Sequence, residues 1–219
     1  MVEHLFTIMS EIRLTKKFTE ELGMLKIKKY WDSYVPGFVR CERPDWINLQ
    51  TSTGIEITRA MHEQEGEVIN LLSRYAGKSK NQLPSALQNK FDGQLGYDDN
   101  GRLNVASSTK GLTNSSFFLN KLISTINNKT EKLQTYKKLN INVLYVFYGY
   151  IFSNHDIKNL TKHIFSERCL QDRYFNIIIV DDNELLFFFD LDTKTYKQID
   201  ILDNDDSIKT VEGLFNNLT

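Results

Sequence analysis

The chain has 219 residues, of which 41% are hydrophobic and 12% aromatic, enough for one large domain or two small ones and too apolar for a chain that stays disordered throughout. Its net charge of −1 gives no bulk attraction to nucleic acid. Two cysteines, Cys41 and Cys169, and four scattered histidines exclude a disulfide framework and a soft-metal cluster.

No apolar run reaches the roughly 18 to 20 residues of a membrane span, and Met1–Ser10 lacks the basic and apolar regions of a secretory signal. The expected setting is therefore cytoplasmic, with no membrane partner. Basic residues outnumber acidic ones over 1–140, and the balance reverses over 141–219, an asymmetry of a size that is often incidental.

Residues 14–34 are expected to form a helix, because Leu14, Phe18, Leu22 and Leu25 recur at spacings of four and three while Lys16, Lys17, Glu20, Glu21, Lys26, Lys28 and Lys29 mostly occupy the other faces. Pro36-Gly37 ends it. Two short strands follow, Trp46-Ile47-Asn48-Leu49 and Ile55-Glu56-Ile57, separated by the polar break Thr51-Ser52-Thr53-Gly54. They make a hairpin, with Asp45 opening its first strand and Glu56 inside its second.

Paired strands lie about 5 Å apart and alternate residues share a face, so such a hairpin can hold two carboxylates together. Mg²⁺ takes one or two carboxylates, keeps several waters and leaves room for phosphate oxygens. The competing reading is an Asp at a strand entry and a solvated strand Glu. Against it, an acid between Ile55 and Ile57 in a central strand is costly to bury without a partner.

Pro44-Asp45, ten intervening residues and Glu56-Ile57-Thr58 resemble the signature of the PD-(D/E)XK nuclease superfamily, with Thr58 standing where that family usually has lysine. The resemblance implies an α/β fold, a three-layer restriction-endonuclease-like core with a central mixed β-sheet flanked by helices. It implies an Mg²⁺- or Mn²⁺-dependent endonuclease, a phosphodiester hydrolase acting on DNA, with Asp45, Glu56 and the Ile57 carbonyl holding the metal. In that family the preceding helix sometimes adds an acid, here Glu20 or Glu21; ordinary solvated helix charges are the alternative.

Residues 61–76 are expected to be helical, with Val68, Leu71, Leu72 and Tyr75 as the apolar stripe and Gly77 as the stop. Gln64, in the first turn, is a candidate contact of the site. A short helix over 80–91 starts near Pro84. Leu95, Tyr97, Leu103 and Val105 flank Asp98-Asp99-Asn100-Gly101, a tight-turn signal for a small hairpin, either a mobile flap over the site or a surface insertion.

From Phe117 to Leu139 a long helix is expected, its stripe made by Phe118, Leu122, Ile126, Leu133 and Tyr136. Lys129 falls inside that stripe, so its ammonium either reaches solvent along its stem or meets an anion. The Asp45/Glu56 pair is the candidate anion, and Lys129 would then supply the charge that Thr58 cannot, with Lys132 on the flank as the next candidate. Thr58 itself can hydrogen-bond a water.

Ile141–Tyr148 reads as a strand buried on both faces. Asp156–Arg168 is a helix, Phe175–Val180 a buried strand, Glu184–Asp190 its hairpin partner and Thr195–Ile201 an edge strand, with Asp181 and Asp182 assigned to turn chemistry. The order gives one domain, with a core over about 14–152 and a C-terminal extension of the sheet over about 153–219. The expected partner is nucleic acid, with a homodimer also open. A nuclease-like fold without catalysis, serving as a nucleic-acid-binding or protein-interaction module, is the rival function, and an unrelated α/β protein with coincidental acids is the third.

Overall fold

The computed structural model describes residues 16–60, 67, 71, 74–93, 95–106, 115–167, 174–201 and 206–211. The chain divides into two compact units. One comprises Met1–Phe18 with Met61–Thr113, the other Thr19–Ala60 with Asn114–Thr219.

The larger unit is built on a mixed seven-stranded sheet of order β1-β2-β3-β6-β7-β8-β9. Its strands are β1 (Val39–Arg40), β2 (Trp46–Asn48), β3 (Thr53–Arg59), β6 (Ile141–Phe147), β7 (Ile177–Asp181), β8 (Leu185–Asp190) and β9 (Thr195–Asp200). The pairs β3–β6 and β6–β7 are parallel; all others in this sheet are antiparallel. Parallel neighbours require crossovers, and these are supplied by α3 (Ser115–Leu133) and α4 (Asn154–Glu167).

Because the order β3-β6-β7 advances in one direction, two crossovers of the same hand place both helices on the same face. There Leu122, Ile126 and Leu133 of α3 and Leu160 and Ile164 of α4 pack with Leu144, Val146, Ile178, Val180, Phe187 and Phe189. The opposite face carries α1 (Lys16–Tyr30), whose Met24 and Ile27, with Trp31 after it, meet Ile55, Ile57, Val143, Tyr145, Ile179, Leu186 and Phe188. Burial on both faces explains the nearly unbroken apolar runs of β6, β7 and β8. Gly23 lets α1 lie close, since a Cβ there would stand 2.9 Å from Ile57 Cγ2.

Two helix readings need correction. Lys26, assigned to the outward faces of α1, is 1% exposed; the buried face runs through Gly23, Met24, Lys26 and Ile27. The long helix stops at Leu133, and its exit tightens through Gln134 N–H to Glu131 O, Thr135 N–H to Lys132 O and Tyr136 N–H to Leu133 O. These i→i−3 bonds keep Tyr136 buried on the line of the stripe although it lies beyond the helix.

In the smaller unit, β4 (Leu95–Tyr97) and β5 (Leu103–Ala106) form the expected antiparallel hairpin. Gly101 sits at φ +68° in its turn and Asp98 Oδ1 accepts the Asn100 and Arg102 N–H groups. A 3₁₀ turn, Lys80–Gln82, and α2 (Ser85–Lys90) precede it, and Leu71, Leu83, Phe91 and Leu103 form its core. Gln64 and most of the helix expected over 61–76 lie outside the described residues.

Candidate active site around Asp45 and Glu56

The β2–β3 register fixes where the two acids stand. Trp46 pairs with Ile55, and one step further along that register Asp45 comes opposite Glu56. Ile57 N–H points toward the β2 edge, where it donates to Asp45 Oδ2 at 2.8 Å; Ile55, two residues away, therefore points its polar groups to the same edge. Trp46–Ile55 is then the hydrogen-bonded pair and Asp45–Glu56 the close, non-hydrogen-bonded one, with Cα atoms typically about 4.5 Å apart.

Alternation along β3 sends Ile55 and Ile57 to the α1 face and Gly54, Glu56 and Thr58 to the α3 face. Both acids are buried, Asp45 at 3% and Glu56 at 5% exposure. A residue's N–H and C=O point to the same side of a strand, so the Ile57 carbonyl is directed to the edge where Asp45 caps the N–H.

Lys129 of α3 pairs with Glu56 Oε1, and the Tyr136 hydroxyl donates to the same oxygen at 3.2 Å. Glu56 Oε2 is buried and has no hydrogen-bond partner among the described residues. Burial is the largest influence raising the Tyr136 phenol well above its ordinary range, followed by the Glu56 charge, the bond to Glu56 and the Asp45 charge, with Arg43 opposing. The hydroxyl of Tyr136 thus stands at the Glu56 end of the acid pair.

The wall beside the acids depends on a glycine. A Cβ at Gly54 would meet Leu139 Cδ1 at 2.5 Å and Pro44 Cγ at 2.7 Å. Residues 136–139 therefore run along β3 from Glu56 to Gly54, next to the loop that delivers Pro44-Asp45. Arg43, Lys137 and Lys138 on these segments are exposed, as is Lys132 in the last turn of α3.

Glu20, one of the two candidates for an outer ligand, is carried on the helix of the other face and is held by Arg40 Nη1 at 3.0 Å. Glu21 binds the same guanidinium at 2.8 Å. Thr58 is half-buried and paired in register with Val146. Lys132 is exposed at the end of α3, and Gln64 lies outside the described residues.

The sequence marks Tyr136 only as a stripe residue; its hydroxyl contact with Glu56 comes from the fold. A polar-tipped aromatic on a core stripe that also carries lysine was the available signal, since a buried phenol usually finds a partner.

A second polar cluster, unmarked by residue spacing, lies on the α1 face. Asp181 Oδ2 accepts Lys26 Nζ at 2.6 Å and the Tyr145 hydroxyl at 2.6 Å, and both charged side chains are essentially sealed from solvent. The assignment of Asp181 to turn chemistry is corrected in part. Its Oδ1 does accept the Asn183 N–H, but Oδ2 is spent inside the core. Asp182 behaves as expected, accepting the Glu184 and Leu185 N–H groups.

Among the described residues no three or more His, Cys, Asp or Glu side chains gather as metal ligands. Two carboxylates and one backbone carbonyl stand at β2–β3, and Glu56 Oε2 is buried with no hydrogen-bond partner among the described residues. That set fits a hard ion that retains several waters and does not fit zinc or a caged calcium. No helix among the described residues is long and apolar enough to cross a membrane. Comparison with protein-family models, with curated proteins and with solved structures finds no match to the chain.

Proposed function

We propose that the larger unit is a divergent PD-(D/E)XK-type, restriction-endonuclease-like domain that hydrolyses phosphodiester bonds in DNA with Mg²⁺ or Mn²⁺. The observation that carries this reading is the meeting of Lys129 with Glu56 beside Asp45. A cation from α3 stands at the acid pair where Thr58 leaves the strand without one. A mixed sheet with helices on both faces agrees with the coarse architecture that the resemblance implies.

Asp45, Glu56 and the Ile57 carbonyl would hold the ion, which when bound polarises a phosphoryl oxygen and makes a water more acidic. Lys129, part exposed while its partner is buried, orients the attacking water or offsets the charge that builds on the phosphorus oxygens. Arg43, Lys132, Lys137 and Lys138 give flanking phosphates a cationic margin.

Purified protein incubated with plasmid and linear DNA in Mg²⁺, Mn²⁺ or EDTA tests this. Cleavage that needs the metal and vanishes in Asp45→Ala is expected. Failure of any metal to support cleavage would reject the enzymatic reading.

A second reading, a nuclease-like module that binds nucleic acid or protein without cleaving, is favoured by Thr58 at the lysine position and by the absence of a third acid at the site among the described residues. Calorimetry separates the two: a working site takes up Mn²⁺ through Asp45 and Glu56, and a pure scaffold does not.

A further inference from the structure

We infer that Tyr136 is a positioning residue for the metal-facing atom of Glu56: with Lys129 it holds Oε1, so that Oε2 is the oxygen presented to the ion. The inference rests on the metal-dependent reading above and adds to it a residue and a choice of oxygen.

A carboxylate has two equivalent oxygens and a soft torsion about its terminal bond, so an unconstrained Glu56 would sample many orientations toward an ion. Here two donors converge on a single oxygen. Lys129 arrives from α3 and Tyr136 from the tightened exit of that helix, its hydroxyl 3.2 Å from Oε1. Oε2 is buried and receives no hydrogen bond among the described residues.

Leaving a carboxylate oxygen without a donor away from water costs free energy that an ion at that position would recover. The hydroxyl contributes direction as well as attraction. Lys129 alone, on a flexible stem, fixes distance to Oε1 but not the rotation of the carboxylate, whereas a second donor on a rigid ring does. Tyr136 is in turn fixed by its own burial in the α3 core.

The test is Mn²⁺ binding by titration calorimetry, in the absence of substrate, for the wild-type chain, Glu56→Gln and Tyr136→Phe, with melting curves of each. Partners of metal ligands typically change affinity by 10- to 100-fold, so Tyr136→Phe should weaken Mn²⁺ binding about tenfold while the fold persists. If Tyr136→Phe does not fold, Tyr136→Met removes the same hydroxyl with a side chain that repacks more freely. A phenylalanine or methionine variant that folds and binds Mn²⁺ as tightly as wild type overturns the inference alone. Absence of Mn²⁺ binding by the wild-type chain overturns it together with the catalytic reading.

Discussion

Lys129 and Glu56 are 73 residues apart and meet as an ion pair where α3 crosses β3. The glutamate is almost wholly buried and the lysine about one-fifth exposed, so neither charge is fully hydrated. Breaking a buried pair by deleting one partner costs about 3–5 kcal/mol, and the partial exposure of Lys129 lowers that figure through solvent screening. Lys129→Met should therefore lower unfolding free energy by about 2 kcal/mol. The double variant Lys129→Met/Glu56→Gln should recover part of the loss, and urea denaturation of the three proteins measures both effects.

Gly54 is the second test of the site. A methyl group there meets Leu139 at 2.5 Å and Pro44 at 2.7 Å, closer than packed carbons approach. Gly54→Ala should push the Pro44 loop and residues 136–139 away from β3 and cost about 1–3 kcal/mol, the usual range for overpacking. A thermal melt reads the stability. A drop in Mn²⁺ affinity in a variant that stays folded would show that the site itself is displaced.

The cationic margin makes a prediction about salt. Each phosphate contact by Lys or Arg contributes about 0.7 to 0.9 to the slope of log affinity against log salt. Replacing Arg43, Lys132, Lys137 and Lys138 by Gln should flatten that slope by roughly 3 for a labelled oligonucleotide in EDTA. An unchanged slope in fluorescence anisotropy would place the nucleic acid elsewhere or nowhere.

On the other face, Lys26 and Asp181 form a sealed pair capped by the Tyr145 hydroxyl. Lys26→Met or Asp181→Asn alone should each cost about 3–5 kcal/mol, because the survivor is left charged or misplaced in the core. The double change should be far milder. Mn²⁺ affinity at Glu56 should be unaffected in any variant that stays folded, since the two clusters lie on opposite faces of the sheet.

Tyr145 also gives a pH dependence with a definite sign. Burial, then the Asp181 charge and the bond to it, raises its phenol well above the ordinary value of 10.0. The folded form keeps the proton that the unfolded chain releases above about pH 10, so the contribution is complete below that pH and is lost as pH rises toward the folded value. Each such phenol steepens the alkaline decline by up to about 1.4 kcal/mol per pH unit. Tyr145→Phe should be less stable at neutral pH yet decline less steeply above pH 10, measured by denaturation at stepped pH.

Much of this molecule was legible from local pattern. Alternation and β-branched runs marked β2, β3, β6, β7 and β8. Asn100-Gly101 marked the β4–β5 turn, and the pairing of Asp45 with Glu56 followed from the period of two along a hairpin. Lys129 stood out because a cation on an apolar stripe has few places to go.

The order of elements and the short-range neighbours are therefore written in the chain itself, both set by backbone periodicity. Folding of the whole unit is what turns Lys26 inward to Asp181, 155 residues away, closes Tyr136 on Glu56 from beyond the end of its helix and joins Glu20 to Arg40. Those outcomes depend on which face of each helix is pressed against the sheet and on where buried charges find partners. Both are settled by packing across the whole unit, and residue spacing alone names no partner for a buried polar group.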